Sequence, residues 1–429
     1  MDSRIVLFSC ASSLLVGLAC SGHDGGGSTS VEYYGGGSSV PPSGGGSTGA
    51  SAGNSGSSSG GTDTTIGNDG GSISSNGGVP TTPEPTPPQG GNGAVGGTPV
   101  TTSGIPPAGA PGPRFIGRVT NEHQFAWSGS AVELRFTGSE VSVTLDDWGH
   151  NFFEVIVDGS HHVLAVAAGP NTYQLASGLS GDEHEVMIYR RTEAFFGPTQ
   201  FLGFSVPESN WLPSRMPSER RIEIVADSTA VGYGVEGLSE KCSFEGDTEN
   251  SYLAYGDITG RALGADVNTL GWSGIGVYRD NSGNPGNNMG MRYGRALPTE
   301  EDSTWDFDSW IPQAVVVNLG SNDFVKDDPG VVFEDSMGAL LDEIRSHYAS
   351  ARIYVAVGSS LFDSEYPRLK PRLEAIVSSR AGSGDNIAFM DFGTTDYDDT
   401  YGCDWHPSKA THEYMAAILT QALKQDLGW

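Results

Sequence analysis

IEIVADSTAVGYG, residues 222 to 234, reads as a strand that ends at the polar pair Asp227-Ser228 and turns into a helix. A short apolar run bounded by turn residues is the signature of a strand buried on both faces. A serine at such a strand-to-helix turn is raised above the sheet edge, and the amides that follow point at whatever its oxygen attacks. Asp-Ser is equally an ordinary helix cap, so its meaning depends on the rest of the chain.

The same pattern recurs downstream. AVVVNLG (314 to 320), RIYVAVG (352 to 358) and NIAFMDF (386 to 392) alternate with helical stretches around 251 to 263, 331 to 348, 366 to 380 and 411 to 425. Short apolar strands separated by amphipathic helices predict a three-layer α/β/α domain on a parallel sheet, spanning 216–429. The helix over 331 to 348 is amphipathic because it covers that sheet. Ligands of such domains sit at the carboxyl ends of the strands. There, NLGSND (318 to 323) presents Asn322, whose amide can donate to an oxyanion, and WSGIGV (272 to 277) presents Gly274, whose N–H can approach a ligand closely. YGCDWHPS (401 to 408) places His406 just before Pro407 and the last helix.

Between Phe115 and Val206 the period changes to two. Val132, Leu134 and Phe136, then Val141, Val143 and Leu145, then Phe153, Val155 and Val157, then Val186 and Ile188 alternate with polar residues, broken by turns such as Asp158-Gly159. This predicts a β-sandwich over 111–208, a jelly-roll module without helices. Trp127, Trp148, Phe152, Phe195 and Phe196 either form a sugar-binding platform or fill the small core, the second being the simpler account.

Residues 21–110 are Gly, Ser, Thr, Pro and Asn with almost no apolar side chains, too little to offset chain entropy, and read as a disordered tether. Before it, MDSRIVLFSCASSLLVGLAC (1–20) reads as a secretory signal. Its end, Gly17-Leu18-Ala19-Cys20, resembles a bacterial lipobox, in which Cys20 would carry a lipid anchor; ordinary cleavage is the alternative. The chain is therefore expected to be extracellular or tied to the outer-membrane surface of a bacterium. In that oxidising setting, Cys242 and Cys403 are expected to form one disulfide. A net charge of −29 among 429 residues excludes a nucleic-acid partner and suits a neutral polysaccharide.

With these blocks in view, the domain from Arg221 onward resembles an SGNH (GDSL) hydrolase, its four blocks falling at Ser228, Gly274, Asn322 and His406. Asp227-Ser228, Gly232-Tyr233-Gly234, Ser273-Gly274-Ile275-Gly276 and Asp404-Trp405-His406-Pro407, behind a β-module carrying FIGRV (115 to 119), RFTGSEVSV (135 to 143), VIVDG (155 to 159), RRTEA (190 to 194) and FLGF (201 to 204), are similar to carbohydrate esterase family 2. The resemblance implies an acetyl xylan esterase-like enzyme. Ser228 would be the nucleophile and His406 its base, with an oxyanion hole from the Ser228 and Gly274 amides and the Asn322 side chain. Ala226 stands where the GDS triplet usually opens with Gly, and Cys403 stands where the superfamily's orienting Asp is usual. The resemblance assigns that role to Asp404, through either its side chain or its main-chain carbonyl. Trp405 and Tyr233 are candidate substrate-binding residues; Trp405 either stacks on a sugar or packs.

No cofactor or metal is implied. His161-His162 would face opposite sides of a strand, and Asp396, Asp398 and Asp399 lack the Gly and distant Glu of a calcium loop. The competing functions are a cell-surface carbohydrate-binding protein without activity, and an esterase acting on another acyl ester such as acetylated peptidoglycan. Nothing demands more than a monomer.

Overall fold

The computed structural model describes residues 108–180, 182–359, 365–394 and 401–429. The apolar leader with Cys20, nearly all of the Gly/Ser/Pro stretch, and Asp396, Asp398 and Asp399 lie outside the described residues.

From Arg114 the chain forms strands β1 (Arg114–Ile116), β2 (Gln124–Phe125), β3 (Ala131–Thr137), β4 (Glu140–Asp147), β5 (Phe152–Val157), β6 (Ser160–Ala165), β7 (Gly169–Ser177), β8 (Glu183–Arg190) and β9 (Thr199–Phe204). They pair antiparallel in two sheets, ordered β1-β3-β8-β5-β6 and β2-β9-β4-β7. The alternating residues Val132, Leu134, Phe136, Val141, Val143, Leu145, Phe153 and Val155 are fully buried between the sheets. Asp158 and Gly159 link β5 to β6 with φ of 50° and 79°, the left-handed pair that a two-residue hairpin requires. The period-two reading passed over β6 and β7, edge strands with mostly exposed or half-exposed side chains.

Strands β10 (Arg221–Ala226), β11 (Asp266–Gly271), β12 (Ala314–Asn318), β13 (Arg352–Val357) and β14 (Ile387–Asp391) then build a wholly parallel sheet ordered β11-β10-β12-β13-β14. Between and after them come α1 (Ser228–Val231), α2 (Tyr255–Leu263), α3 (Ser321–Phe324), α4 (Val331–His347), α5 (Tyr366–Gly382) and α6 (Lys409–Leu427). Strand β11 was not among the apolar runs, because DVNTLG carries only Val267 and Leu270 as large apolar residues while its Asn268 and Thr269 are buried.

Helices cover both faces, so side chains alternate between two cores. Ile222, Ile224 and Ala226 face α2 and α6, whereas Val225, Val315 and Val317 face α4 and α5. Strand order reverses at β10, with β11 on one side and β12 on the other. Ala226 lies level with Gly271 and Asn318, so the turns after these three strands open into one crevice.

The β-sandwich is riveted to this sheet. Glu223 points into the α4–α5 core, where an unpaired carboxylate would be costly to bury. Arg118, of the FIGRV segment, meets it at 3.2 Å with both groups fully buried. The Tyr293 hydroxyl donates to the same carboxylate at 2.8 Å and the Tyr348 hydroxyl at 3.3 Å. Trp127 joins this layer as well, so it fills the core of the α/β domain rather than that of the small sandwich.

Candidate active site

Asp227 ends β10 and caps α1, its Oδ1 accepting the Thr229 N–H at 3.0 Å. The helix lasts four residues before Gly232 turns left-handed at φ 70°, which leaves Ser228 at the rim of the sheet. Ala226, in the place of the usual Gly, is fully buried against the α2–α6 layer beside Gly271, so its methyl group is absorbed by packing.

His406 arrives from the loop before α6, and its Nε2 lies 2.9 Å from Ser228 Oγ. Its other nitrogen, Nδ1, lies 3.1 Å from the main-chain oxygen of Asp404. A carbonyl has no proton to give, so Nδ1 must carry one, which leaves Nε2 bare to accept from the serine hydroxyl. The Asp404 carboxylate points elsewhere. Its Oδ2 accepts from the Tyr233 hydroxyl at 3.1 Å and from the Phe244 N–H at 3.2 Å. Of the two ways in which Asp404 was expected to act, the geometry has the backbone facing the imidazole.

This carbonyl is aimed by an unusual backbone. Asp404 and Trp405 both have positive φ, 51° and 62°, a conformation costing roughly 1–2 kcal/mol for each side-chain-bearing residue. The loop is stitched down to hold it. Cys403 is disulfide-bonded to Cys242, its N–H donates to Gly234 O at 3.0 Å, and the Asp404 N–H donates to Cys242 O at 3.2 Å. A Cβ on Gly234 would stand 2.9 Å from Cys403 N, so the two segments can approach only because residue 234 has no side chain.

Burial pushes the His406 imidazole down to about 4, opposed by the Asp404 and Cys403 backbone groups and the Asp404 charge. The ring is therefore neutral near pH 7, the state a general base requires.

The expected oxyanion donors follow the two strands that flank β10, Gly274 after β11 and Asn322 in α3 after β12. Gly274 has φ 76°, its carbonyl accepts from Asn281 N–H at 2.8 Å, and a Cβ there would meet the Asn281 side chain at 3.0 Å. Asn322 Nδ2 donates to Ile275 O at 2.8 Å and lies 3.3 Å from Asp227 Oδ2. Asp323, which the sequence reading did not single out, accepts the N–H groups of Val277, Tyr278 and Arg279 at 2.8–3.0 Å and so pins the loop that carries Gly274. Nothing local in NLGSND announces a partner 44 to 46 residues away.

An aromatic run borders the pair. The Tyr233 ring packs 4.0 Å from His406 and stacks 3.9 Å from Phe244, which neighbours Phe196 and Phe195, and Phe195 meets Trp272. Phe195 and Phe196 are thus half-buried members of a wall beside the site, not filling for the sandwich core; Trp148 and Phe152 are also half-buried. Trp405 is 48% exposed, edge-on to Tyr401.

A parallel α/β sheet with a serine–histidine pair at the crevice of its carboxyl edge defines a carboxylic ester hydrolase. Residues 227–414 match the GDSL-like Lipase/Acylhydrolase family, and residues 115–214 match the Carbohydrate esterase 2 N-terminal family. A solved family two carbohydrate esterase from Clostridium thermocellum, in complex with cellohexaose, superposes with a TM-score of 0.72 at 40% identity, covering 74% of this chain and 100% of that one. The chain belongs to carbohydrate esterase family 2.

Among curated relatives, Cellulase/esterase CelE of Acetivibrio thermocellus is 40% identical over 326 residues, 74% of this chain but only 40% of that protein. An Acetylxylan esterase / glucomannan deacetylase of Cellvibrio japonicus is 28% identical over 322 residues, 71% of this chain and 86% of the relative.

Proposed function

We propose that this protein is a secreted serine esterase that removes O-acetyl groups from plant-type polysaccharides, xylan or glucomannan, or from their oligosaccharides. The observation that carries the proposal is the chain of contacts from Ser228 Oγ through His406 to the Asp404 carbonyl, at 2.9 and 3.1 Å. Ser228 attacks the acetyl carbonyl while its proton passes to His406 Nε2, and the Asp404 carbonyl steadies the imidazolium that results. The Ser228 and Gly274 amides receive the developing oxyanion, together with the Asn322 side-chain hydrogen now turned toward Asp227. Each such donor is typically worth about a hundredfold or more in turnover. The tetrahedral adduct collapses as His406 returns the proton to the departing sugar oxygen, which leaves as a hydroxyl, and acetyl-Ser228 remains. Water, deprotonated by His406, then releases acetate.

The substrate class is supported by the names of the Cellvibrio relatives and by the cellohexaose bound to the Clostridium structure. The exposed Trp405 offers a flat apolar face of the kind that sugar rings cover. Action outside the cytoplasm, at a cell surface through Cys20 or in the medium, is supported by the Cys242–Cys403 disulfide and by the character of residues 1–20.

The test is acetate release from acetylated xylan, acetylated glucomannan and acetylated peptidoglycan, by the wild type and by Ser228→Ala. Release from the plant polymers that the substitution abolishes is the expected result. Release from peptidoglycan alone would change the substrate. Glycan binding without any release would replace the enzyme with a binding protein.

A further inference from the structure

The β-sandwich sends one carboxylate into the hydrolase domain. Glu193, of the RRTEA segment, follows β8 and is fully buried. Its Oε2 accepts the backbone N–H of Ser273 at 2.6 Å, and its Oε1 accepts the Ser273 hydroxyl at 2.5 Å. Ser273 immediately precedes Gly274, the glycine assigned above to the oxyanion.

The surroundings of Glu193 hold it rigidly. Buried Arg190 donates to the carbonyls of Thr192, Glu193 and Gly197 and to Thr199 Oγ1, at 2.8–3.0 Å, which fixes the turn that carries the carboxylate. Glu249 Oε2 accepts the Glu193 N–H at 3.0 Å. Burial raises both carboxyl groups above the ordinary carboxylate range, Glu249 further through the charge of Glu193. The two hydrogen bonds that Glu193 accepts from Ser273 oppose the rise in its own case.

We propose that Glu193 is a positioning residue through which the β-sandwich sets the oxyanion-binding geometry, by clamping Ser273 and thereby the orientation of the Gly274 peptide. Gripping both the N–H and the hydroxyl of Ser273 fixes the backbone and side-chain torsions just before Gly274. Asp323 grips the same loop just after it, through Val277, Tyr278 and Arg279. The loop is therefore held at one end by its own domain and at the other by the sandwich. On this account the β-module is part of the catalytic apparatus and not an appended binding unit. The inference rests on the esterase reading.

The experiment compares wild type, Glu193→Gln and Glu193→Ala in the full chain. Active sites are counted by titration with diethyl 4-nitrophenyl phosphate, and folding is checked by thermal melting. Two quantities are then read: kcat and KM for 4-nitrophenyl acetate per titrated site, and the affinity for methylboronic acid. The boronic acid bonds to Ser228 Oγ, passes the hydroxyl proton to His406 and leaves a tetrahedral oxyanion mimic. A displaced oxyanion donor should lower kcat per site by about ten- to a hundredfold in Glu193→Ala, with KM little changed and boronate affinity weakened in parallel. Glu193→Gln keeps one acceptor for Ser273 and should fall between. A purely structural role would lower the melting temperature or the number of titratable sites while kcat per site and boronate affinity stayed within twofold, and that overturns the inference. If Glu193→Ala fails to fold, Glu193→Gln and Ser273→Ala decide by the same readings. A wild type that cleaves no acetyl ester would sink the esterase reading itself, and the inference with it.

Discussion

Replacing Asp404 by Asn separates a backbone-oriented pair from a carboxylate triad. The imidazole partner is the Asp404 main-chain oxygen at 3.1 Å, which a side-chain substitution leaves in place. The carboxylate has two contacts, Tyr233 Oη at 3.1 Å and Phe244 N at 3.2 Å, and an Asn oxygen accepts from both. Asn also tolerates the left-handed φ of 51° at this position. Asp404→Asn should therefore keep kcat within about threefold of wild type, the residual change reflecting the lost charge near His406. Asp404→Ala loses two hydrogen bonds, each worth about 0.5–1.5 kcal/mol, and destabilises a loop already strained by roughly 1–2 kcal/mol per left-handed residue. It should lower the melting temperature and cost more activity than Asn does. Were the carboxylate the orienting group, Asn would hold the wrong imidazole tautomer, for which a loss of about ten-thousandfold is typical of serine triads. Steady-state hydrolysis of 4-nitrophenyl acetate, with melting curves as the folding control, distinguishes the cases. A thousandfold fall in kcat for Asp404→Asn, at unchanged melting temperature, would refute the backbone assignment.

With the His406 imidazole pushed down to about 4 by burial, protonation removes the base only in acid. The kcat/KM for acetyl ester hydrolysis should climb about tenfold per pH unit below that value and level off above it; a bend near 6.5 would contradict the burial argument. Cys242 and Cys403 close a loop of 161 residues, for which chain entropy assigns about 5 kcal/mol to the bridge. The Cys242→Ala/Cys403→Ala pair should melt well below wild type and turn over more slowly, since the bridge anchors the Asp404 carbonyl; an unchanged melting temperature and kcat would remove that role. Arg118→Met strands a fully buried Glu223 and should cost about 3–5 kcal/mol in urea denaturation, part of which Arg118→Met/Glu223→Leu should recover. Equal stability of the single variant and wild type would show that the rivet carries no weight.

Much of this architecture is written in local periodicity. The apolar runs of β10, β12, β13 and β14 announce a sheet covered on both faces, and the two-residue alternation of β3, β4, β5 and β8 announces one covered on a single face. Turn chemistry is local too, which is why Asp227-Ser228, Gly274, Asn322 and His406 stood out at the ends of their strands or before a helix. Strand β11 escaped because its buried Asn268 and Thr269 break the apolar run.

What the sequence by itself determined is the order of strands and helices, the residue types at their carboxyl ends, and the two cysteines available to bridge. Only the tertiary structure decided that Asp404 offers its carbonyl and not its carboxylate to His406, because that depends on two left-handed residues which nothing in Cys-Asp-Trp-His requires. It likewise decided that Arg118 answers Glu223 across 105 residues, that Glu193 reaches Ser273 across 80, and that Trp127 belongs to the larger core. Each of these is a contact between distant segments, and burial is what imposes it: a charge or polar group taken out of water must find its partner wherever packing brings one within reach.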